Sequence, residues 1–144
     1  MDEPVDHTEI ARRTAAAMER ADAAGRGAGV RLLDVAPGGA RVGLTVDARH
    51  VNGHGICHGG YLFLLADAAL AYASNSHGVS AVAAGADIVF LRPAALGDEL
   101  VAEAVERARA GRSGLYDVTV RAEDVVVAEF RGRTRQVPGL AGPR

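Results

Sequence analysis

With 144 residues, nearly half of them apolar, the chain is long enough for one domain with a buried core. The net charge of −2 excludes the basic footprint of a nucleic-acid-binding protein, and the apolar run at 61–73 is too short to span a bilayer. The one cysteine, Cys57, excludes an intrachain disulfide. The acidic N-terminus does not resemble a secretory signal, so we expect a cytoplasmic protein that acts away from membranes.

The first predicted element is a helix over 7–24, with Asp6 as its N-cap and Glu9 three residues later in a capping-box arrangement. A thin apolar stripe along it predicts a surface helix that packs on something larger. Gly25 and Gly27 are expected to end it.

Two strands follow, Val30–Val35 and Arg41–Val46, joined by a proline- and glycine-containing turn. In the second strand, apolar residues alternate with polar or small ones, which is typical of a half-buried strand. A polar, glycine-broken loop at 47–57 then leads to the most informative stretch of the chain.

That stretch is 52–76, NGHGICHGGYLFLLADAALAYASNS, in which a helix is apolar on every face and Asp67 is the only charge between Tyr61 and Tyr72. Such a helix belongs in a core. An uncompensated carboxylate there is costly or has a raised pKa, which makes Asp67 a candidate for chemistry. The structural alternative is that a local bend exposes Asp67 or that an arginine pairs with it.

Alternating residues predict three later strands, at Ala84–Leu91, Leu115–Ala122 and Val125–Val137. We therefore expect a single domain over 1–137 and a C-terminal tail over 138–144, which has no periodicity.

The segment Glu99–Ala110 is ambiguous. It has apolar residues at helical spacing, strong helix formers and Gly111 as a plausible C-cap, so local signals favour a helix. A strand with Leu100, Ala102 and Ala104 on one face is the alternative.

Two motifs suggest other chemistry. His50, His54 and His58 recur every four residues, as metal ligands on a helix do, but glycines between them make a helix improbable, and we predict no metal site. Cys57 and His58 could suggest a thiol nucleophile and its base. Adjacent residues in an extended segment point to opposite sides, so we expect Cys57 to be a small buried residue.

Five segments together resemble a known family: NGHGICHGG, LADAALAYASNS, DIVFLRPAALGDEL, GLYDV and EFRGRTR. In order and spacing over about 30–137 the chain resembles the hotdog-fold acyl-CoA thioesterases, most closely the PaaI (PaaD) phenylacetic acid degradation family. The resemblance implies an α+β hotdog fold, an antiparallel sheet wrapped around the central helix. It also implies that Glu99–Ala110 is a strand, and that the protein forms homodimers paired into tetramers.

The resemblance places the catalytic acid at Asp67, and functional roles at Asn52, His58 and Gly59. The amides of Gly59 and Gly60 lie where the helix should begin, where free N–H groups and the helix dipole suit an oxyanion. Asp67 is eight residues further on, about 12 Å along a helix, so one helix cannot supply both groups to one carbonyl. The family's arrangement, in which the two groups come from different subunits, satisfies this geometry.

The expected substrate is a (hydroxy)phenylacetyl-CoA or a related aryl- or acyl-CoA, with no cofactor other than the coenzyme A that it carries. Tyr61 and Leu64 are expected in the acyl pocket, although the family commonly has phenylalanine and alanine where this chain has Tyr61 and Leu62. Arg92 and the turn Arg112-Ser113-Gly114 are expected to contact the coenzyme A. The alternative is a non-catalytic acyl-CoA-binding hotdog protein. A hydratase on the same fold is not expected, because this chain lacks the aspartate–histidine pair of such hydratases.

Overall fold

A computed structural model describes residues 3–139. The elements in chain order are α1 His7–Ala21, α2 Ala23–Ala28, β1 Arg31–Ala36, β2 Gly39–Thr45, α3 Gly59–Asn75, β3 Ala81–Phe90, β4 Glu99–Ala110, β5 Ser113–Ala122 and β6 Val125–Gln136. A single 3-10 turn, Ala48–His50, precedes α3. Of the predicted tail at 138–144, Pro138 and Gly139 form a turn and 140–144 lie outside the described residues.

The six strands form one antiparallel sheet in the order β1-β2-β4-β5-β6-β3, and α3 packs against its inner face. Helices α1 and α2 cover another side of α3, which explains why α3 has no polar face. This arrangement confirms the hotdog fold with an N-terminal helix. The strands β1 and β3 form the two open edges.

The segment Glu99–Ala110 is a strand, as the resemblance implied, and the helical interpretation of its local pattern is wrong. It lies between β2 and β5, and it pairs with β2 over 99–105 and with β5 over 100–110. Leu100, Ala102 and Ala104 are buried on the face toward α3. Two ladders of backbone hydrogen bonds and this burial outweigh a local preference for helix.

The first helix ends at Ala21 and not at residue 24. Asp22 leaves the helical conformation and becomes the N-cap of the short helix α2. Its carboxylate accepts the N–H of Gly25 in the first turn of that helix. Gly25 and Gly27 thus lie inside α2, which ends at Gly29 in the left-handed conformation. The N-cap was predicted correctly, because Asp6 accepts the N–H of Glu9 at 3.1 Å.

The sheet comes close to α3 at Gly132 of β6. A methyl group at that position would come within 2.6 Å of Leu70 Cδ2, so glycine lets the strand lie near the helix without displacing the Leu70 side chain. This contact helps to set the distance between α3 and the sheet.

Candidate active site at the ends of the central helix

The first turn of α3 is capped by His58. Its Nδ1 accepts the N–H of Gly60 at 3.0 Å, and its carbonyl oxygen accepts the N–H of Tyr61 at 2.9 Å. The amide of Gly60 is therefore engaged, contrary to the expectation that both glycine amides are free. Within residues 3–139 the N–H of Gly59 has no hydrogen-bond acceptor, which leaves it as the available donor at the positive end of the helix dipole.

Gly59 opens into a cavity of about 560 Å³, hereafter the Gly59 cavity. Its lining includes Asn52 and Gly59 from the loop and the start of α3, and Phe90, Arg92 and Pro93 from the end of β3 and the segment after it. A side chain at residue 59 would collide with the Phe90 ring, at 2.9 Å from its Cζ. Glycine at this position keeps the amide accessible from the cavity.

Asn52 orders the loop that borders this cavity. Its Oδ1 accepts the N–H groups of His54 at 2.9 Å and Ile56 at 3.4 Å, while its own backbone pairs with Ile56. Its Nδ2 donates to no group of residues 3–139, and the side chain lines the cavity. The amide nitrogen is thus a donor with no acceptor among the described residues.

Asp67 lies in a different depression of about 300 Å³, hereafter the Asp67 cleft. Leu64, Asp67 and Tyr72 line it from α3, and Met18 and Asp22 from the N-terminal helices. Burial and, to a smaller extent, the nearby charge of Asp22 raise the pKa of Asp67. Among the described residues no arginine pairs with it, so the structural alternative of an arginine partner does not apply.

Within one chain, the Gly59 cavity and the Asp67 cleft are separate. They share no lining residue, and the helix places their two groups about 12 Å apart. The available amide and the carboxylate of one chain therefore cannot act on the same carbonyl carbon, as the spacing predicted.

Tyr61 and His50 pack against each other in an edge-to-face contact with ring centroids 4.8 Å apart. Tyr61 is half-buried against the core. His50 is fully buried: its Nε2 donates to the carbonyl of Ala28 at 2.6 Å, and its Nδ1 accepts the N–H of Asp47. Both ring nitrogens are occupied, and no three metal-ligating side chains converge anywhere in 3–139.

The residues expected near coenzyme A fall into two places. Arg92 borders the Gly59 cavity, and its guanidinium donates to the carbonyl of Val126 at 2.9 Å. Ser113 and Gly114 line a third cavity, of about 510 Å³, at the β4–β5 hairpin, next to the exposed Arg112. One chain does not bring these two groups together.

Cys57 is buried, as predicted, with 3% of its surface exposed. Burial raises the pKa of its thiol to about 11, so the sulfur stays protonated and is not a nucleophile near neutral pH.

Two polar features escaped sequence reasoning. One is Asp22, whose N-cap pattern was hidden by helix formers on both sides. The other is a cluster at the far end of α3, where Glu106 Oε1 accepts from His77 Nε2 and from the Tyr116 hydroxyl, each at 2.8 Å. The three residues come from distant segments, so no local motif marks them.

None of the helices in 3–139 has both the length and the apolar character needed to cross a membrane.

Comparison with known proteins is consistent with this geometry. The profile of the Thioesterase superfamily matches residues 54–129, from the loop before α3 to β6. The chain is 43% identical to the acyl-coenzyme A thioesterase PaaI of Escherichia coli, over 88% of this chain and 91% of that protein.

The structure of E. coli PaaI, from the phenylacetic acid degradation operon, superposes with a TM-score of 0.90 at 40% identity, covering 96% of this chain and 99% of that one. A variant of PaaI from Thermus thermophilus matches at 39% identity with a TM-score of 0.76, over 78% and 97% of the two chains. A Streptococcus mutans protein bound to acetyl CoA matches at 27% identity with a TM-score of 0.72, over 80% and 90%. The chain belongs to the thioesterase superfamily, as a hotdog-fold member of the PaaI type.

Proposed function

We propose that this thioesterase hydrolyses (hydroxy)phenylacetyl-CoA or a related aryl- or acyl-CoA to the free acid and CoA, in a site shared by two subunits. The observation that carries the proposal is the half-buried Asp67, which has a raised pKa and no cationic partner within residues 3–139. Its carboxylate remains free to act on a substrate. The E. coli relative is an acyl-CoA thioesterase, and a streptococcal neighbour holds acetyl CoA.

In the proposed reaction, the N–H of Gly59 donates to the thioester oxygen as negative charge develops on it. Asp67 of the other subunit either removes a proton from the attacking water or attacks the carbonyl carbon itself, which forms a mixed anhydride. In the base route the C–S bond breaks, the proton that Asp67 took from water passes to the sulfur, and CoA leaves as the thiol beside the free acid. In the nucleophilic route CoA leaves as a thiolate that takes a proton from solvent, and water then hydrolyses the mixed anhydride to the free acid and the Asp67 carboxylate. The raised pKa makes Asp67 more reactive in either route, because basicity and nucleophilicity of a carboxylate rise together.

His58 and Asn52 are proposed to hold the thioester or the water. Because Nδ1 of His58 accepts the N–H of Gly60, the neutral ring carries its proton on Nε2, which can donate outward. Asn52 offers its Nδ2 in the same way. Gly60 contributes indirectly, by orienting His58.

The subunit contact is proposed at the β3 edge. This strand has ten residues, a single charge at Asp87, and exposed Val82, Val89 and Phe90. The opposite edge, β1, has only six residues and carries two charges, Arg31 and Asp34, and short charged edges discourage pairing. A long, apolar, unpaired edge is suited to join a second copy, and Phe90 connects it to the Gly59 cavity.

The remaining assignments follow from this assembly. Leu64 and Tyr61 are proposed for the acyl pocket, Arg92 and the Arg112–Gly114 turn for coenzyme A, and a pair of dimers for the full assembly. We propose that the enzyme needs no cofactor or metal and works in the cytoplasm, where the buried free thiol of Cys57 is compatible with a reducing environment.

The first test is release of free thiol from a panel of phenylacetyl-, hydroxyphenylacetyl-, benzoyl- and medium-chain acyl-CoA substrates. Asp67→Asn should lower kcat by about 10²–10⁴ with little change in KM. Near-normal turnover in that variant would remove Asp67 from the chemistry. Tight binding of acyl-CoA by the native protein without hydrolysis would favour the non-catalytic alternative.

The second test addresses sharing of the site. A Gly59→Val chain and an Asp67→Ala chain, inactive alone, should regain up to half of the native activity when they form heterodimers, because one of the two sites then has both groups intact. Heterodimers that stay inactive, although both chains fold, would show that the groups do not act across subunits.

A further inference from the structure

We propose that Asp22, at the corner between α1 and α2, is a positioning residue for the thioesterase reaction: its fixed carboxylate borders the Asp67 cleft, and its negative charge favours transfer of a proton from water to Asp67. This inference rests on the catalytic role proposed for Asp67. It adds a residue from the N-terminal segment to a site otherwise built around α3. The superfamily profile begins at residue 54, so Asp22 lies outside the matched region.

The backbone fixes the Asp22 carboxylate. One oxygen accepts the N–H of Gly25 at 2.9 Å and caps α2, so the side chain cannot swing away without uncapping that helix. The other oxygen lies where a side chain at residue 25 would be, only 2.1 Å from the position of its Cβ. Glycine at residue 25 therefore makes room for the carboxylate beside the cleft.

The groups around Asp67 are acidic or neutral. Asp22 lines the cleft from the turn between α1 and α2. Glu19 of α1 is not among the lining residues, and its carboxylate accepts the N–H of Leu32 at 3.1 Å. Tyr72 of α3 lines the cleft, and burial, followed by the charges of Glu19 and Asp22, raises its pKa to about 12. The sheet side of α3 is apolar core. Asp22 and Asp67 are thus the two acidic side chains that line the cleft, and no cation within 3–139 offsets their charges.

This environment suits a base. Like charges disfavour the second ionised carboxylate, and this adds to the effect of burial on Asp67. Neither carboxylate oxygen of Asp67 has a hydrogen-bond partner within 3–139, whereas one oxygen of Asp22 accepts the N–H of Gly25 and so caps α2. The two acids therefore divide their roles: Asp22 is fixed by its cap, and Asp67 exchanges protons.

The experiment compares three variants of the full-length enzyme. Asp22→Asn and Asp22→Ser remove the charge but keep an oxygen that can cap α2. Asp6→Asn is the matched control, because Asp6 caps α1 in the same way but is exposed and lies outside the Asp67 cleft. For each, kcat/KM is measured against pH with the best acyl-CoA of the panel, and the Asp67 carboxyl is titrated by carbon-13 NMR.

With either Asp22 variant, we expect the acidic limb of the kcat/KM profile and the Asp67 titration to move together to lower pH. Plateau kcat should fall about two- to tenfold, because a weaker base takes the proton less readily. Asp6→Asn should leave both curves in place. A purely structural role for Asp22 would change the melting temperature without moving the limb.

The inference is overturned if the folded Asp22 variants retain the native pH profile and Asp67 titration, or if Asp6→Asn moves them equally. Failure of the proposed function is a separate result. It would appear as near-normal turnover of the Asp67→Asn variant. If Asp67→Asn is inactive but Asp22→Asn keeps the native pH profile, only the role of Asp22 is rejected.

Discussion

The ring of Phe90 lies directly against Gly59, so that a methyl group added to Gly59 would come within 2.9 Å of Phe90 Cζ. Phe90 is the last residue of the edge strand β3, and Gly59 is the first residue of α3. This contact joins the proposed dimer edge to the proposed oxyanion donor. We therefore expect changes at the β3 edge to affect catalysis through this aromatic ring.

Gly59→Ala should lower kcat by about 10²-fold, because its methyl group and the displaced Phe90 ring obstruct the only available amide of the helix start. Gly60→Ala is the matched comparison and should cost less than tenfold, since the amide of Gly60 is already bonded to His58. Steady-state kinetics with an acyl-CoA check both. Equal losses of kcat in the two variants would contradict a special role for the Gly59 amide. They would mean instead that the first turn of α3 tolerates no side chain.

Asp67→Asn should raise the melting temperature at pH 7–8 while it removes activity. A carboxyl whose folded pKa is raised contributes stability below its ordinary pKa of 3.8 and loses it as the pH rises through the folded value. At neutral pH the native protein therefore bears the cost of a charged, half-buried group that asparagine avoids. The gain should shrink as the pH falls toward 4, and calorimetry over that range would show it. An Asp67→Asn protein less stable than the native one at pH 7 would contradict this.

Asp117 should be the most acid-resistant carboxyl on the sheet. Hydrogen bonds from Arg131, at 2.7 and 3.0 Å, and from Arg107, at 2.7 Å, lower its pKa to about 2. Asp117→Asn should cost on the order of 1 kcal/mol at pH 7 after allowance for solvent screening, or roughly 2–4 °C in Tm.

The pH window of this effect is defined by the sign of the shift. The stability from Asp117 is present above the ordinary pKa of 3.8 and is lost as the pH falls through about 2. The difference in Tm between native and Asp117→Asn proteins should therefore vanish near pH 2 and shrink in high salt. The exposed Asp124→Asn in the β5–β6 turn is the control and should change little.

Val89→Lys should convert the proposed dimer into monomers and lower activity by more than tenfold. Val89 is 54% exposed near the end of β3, and a charge there opposes pairing of the edge with a second copy. Leu33→Lys on the opposite edge strand β1 is the control, because Leu33 is 47% exposed and equally apolar. Light scattering with size-exclusion chromatography measures the mass. A Val89→Lys protein that remains dimeric and active would place the subunit contact elsewhere.

The residue pattern alone is sufficient to identify α3 and its exceptional residue. A run from Tyr61 to Tyr72 with one charge cannot be a surface helix, so it predicts both a core element and a carboxylate in an unusual environment. The eight-residue spacing of Gly59 and Asp67 is equally local, because the rise of a helix converts it to about 12 Å. The structure confirms that the two groups lie in separate openings of one chain.

Contacts between distant segments were decided by tertiary structure. Glu99–Ala110 has the composition of a helix and becomes a strand only because β2 and β5 lie on either side of it. The availability of Gly59, but not Gly60, depends on how the His58 ring folds back over the helix start. Asp22 lies at the Asp67 cleft although 45 residues of sequence separate the two aspartates. Packing of α2 on α3 brings them together, so no periodic pattern in the sequence predicts it.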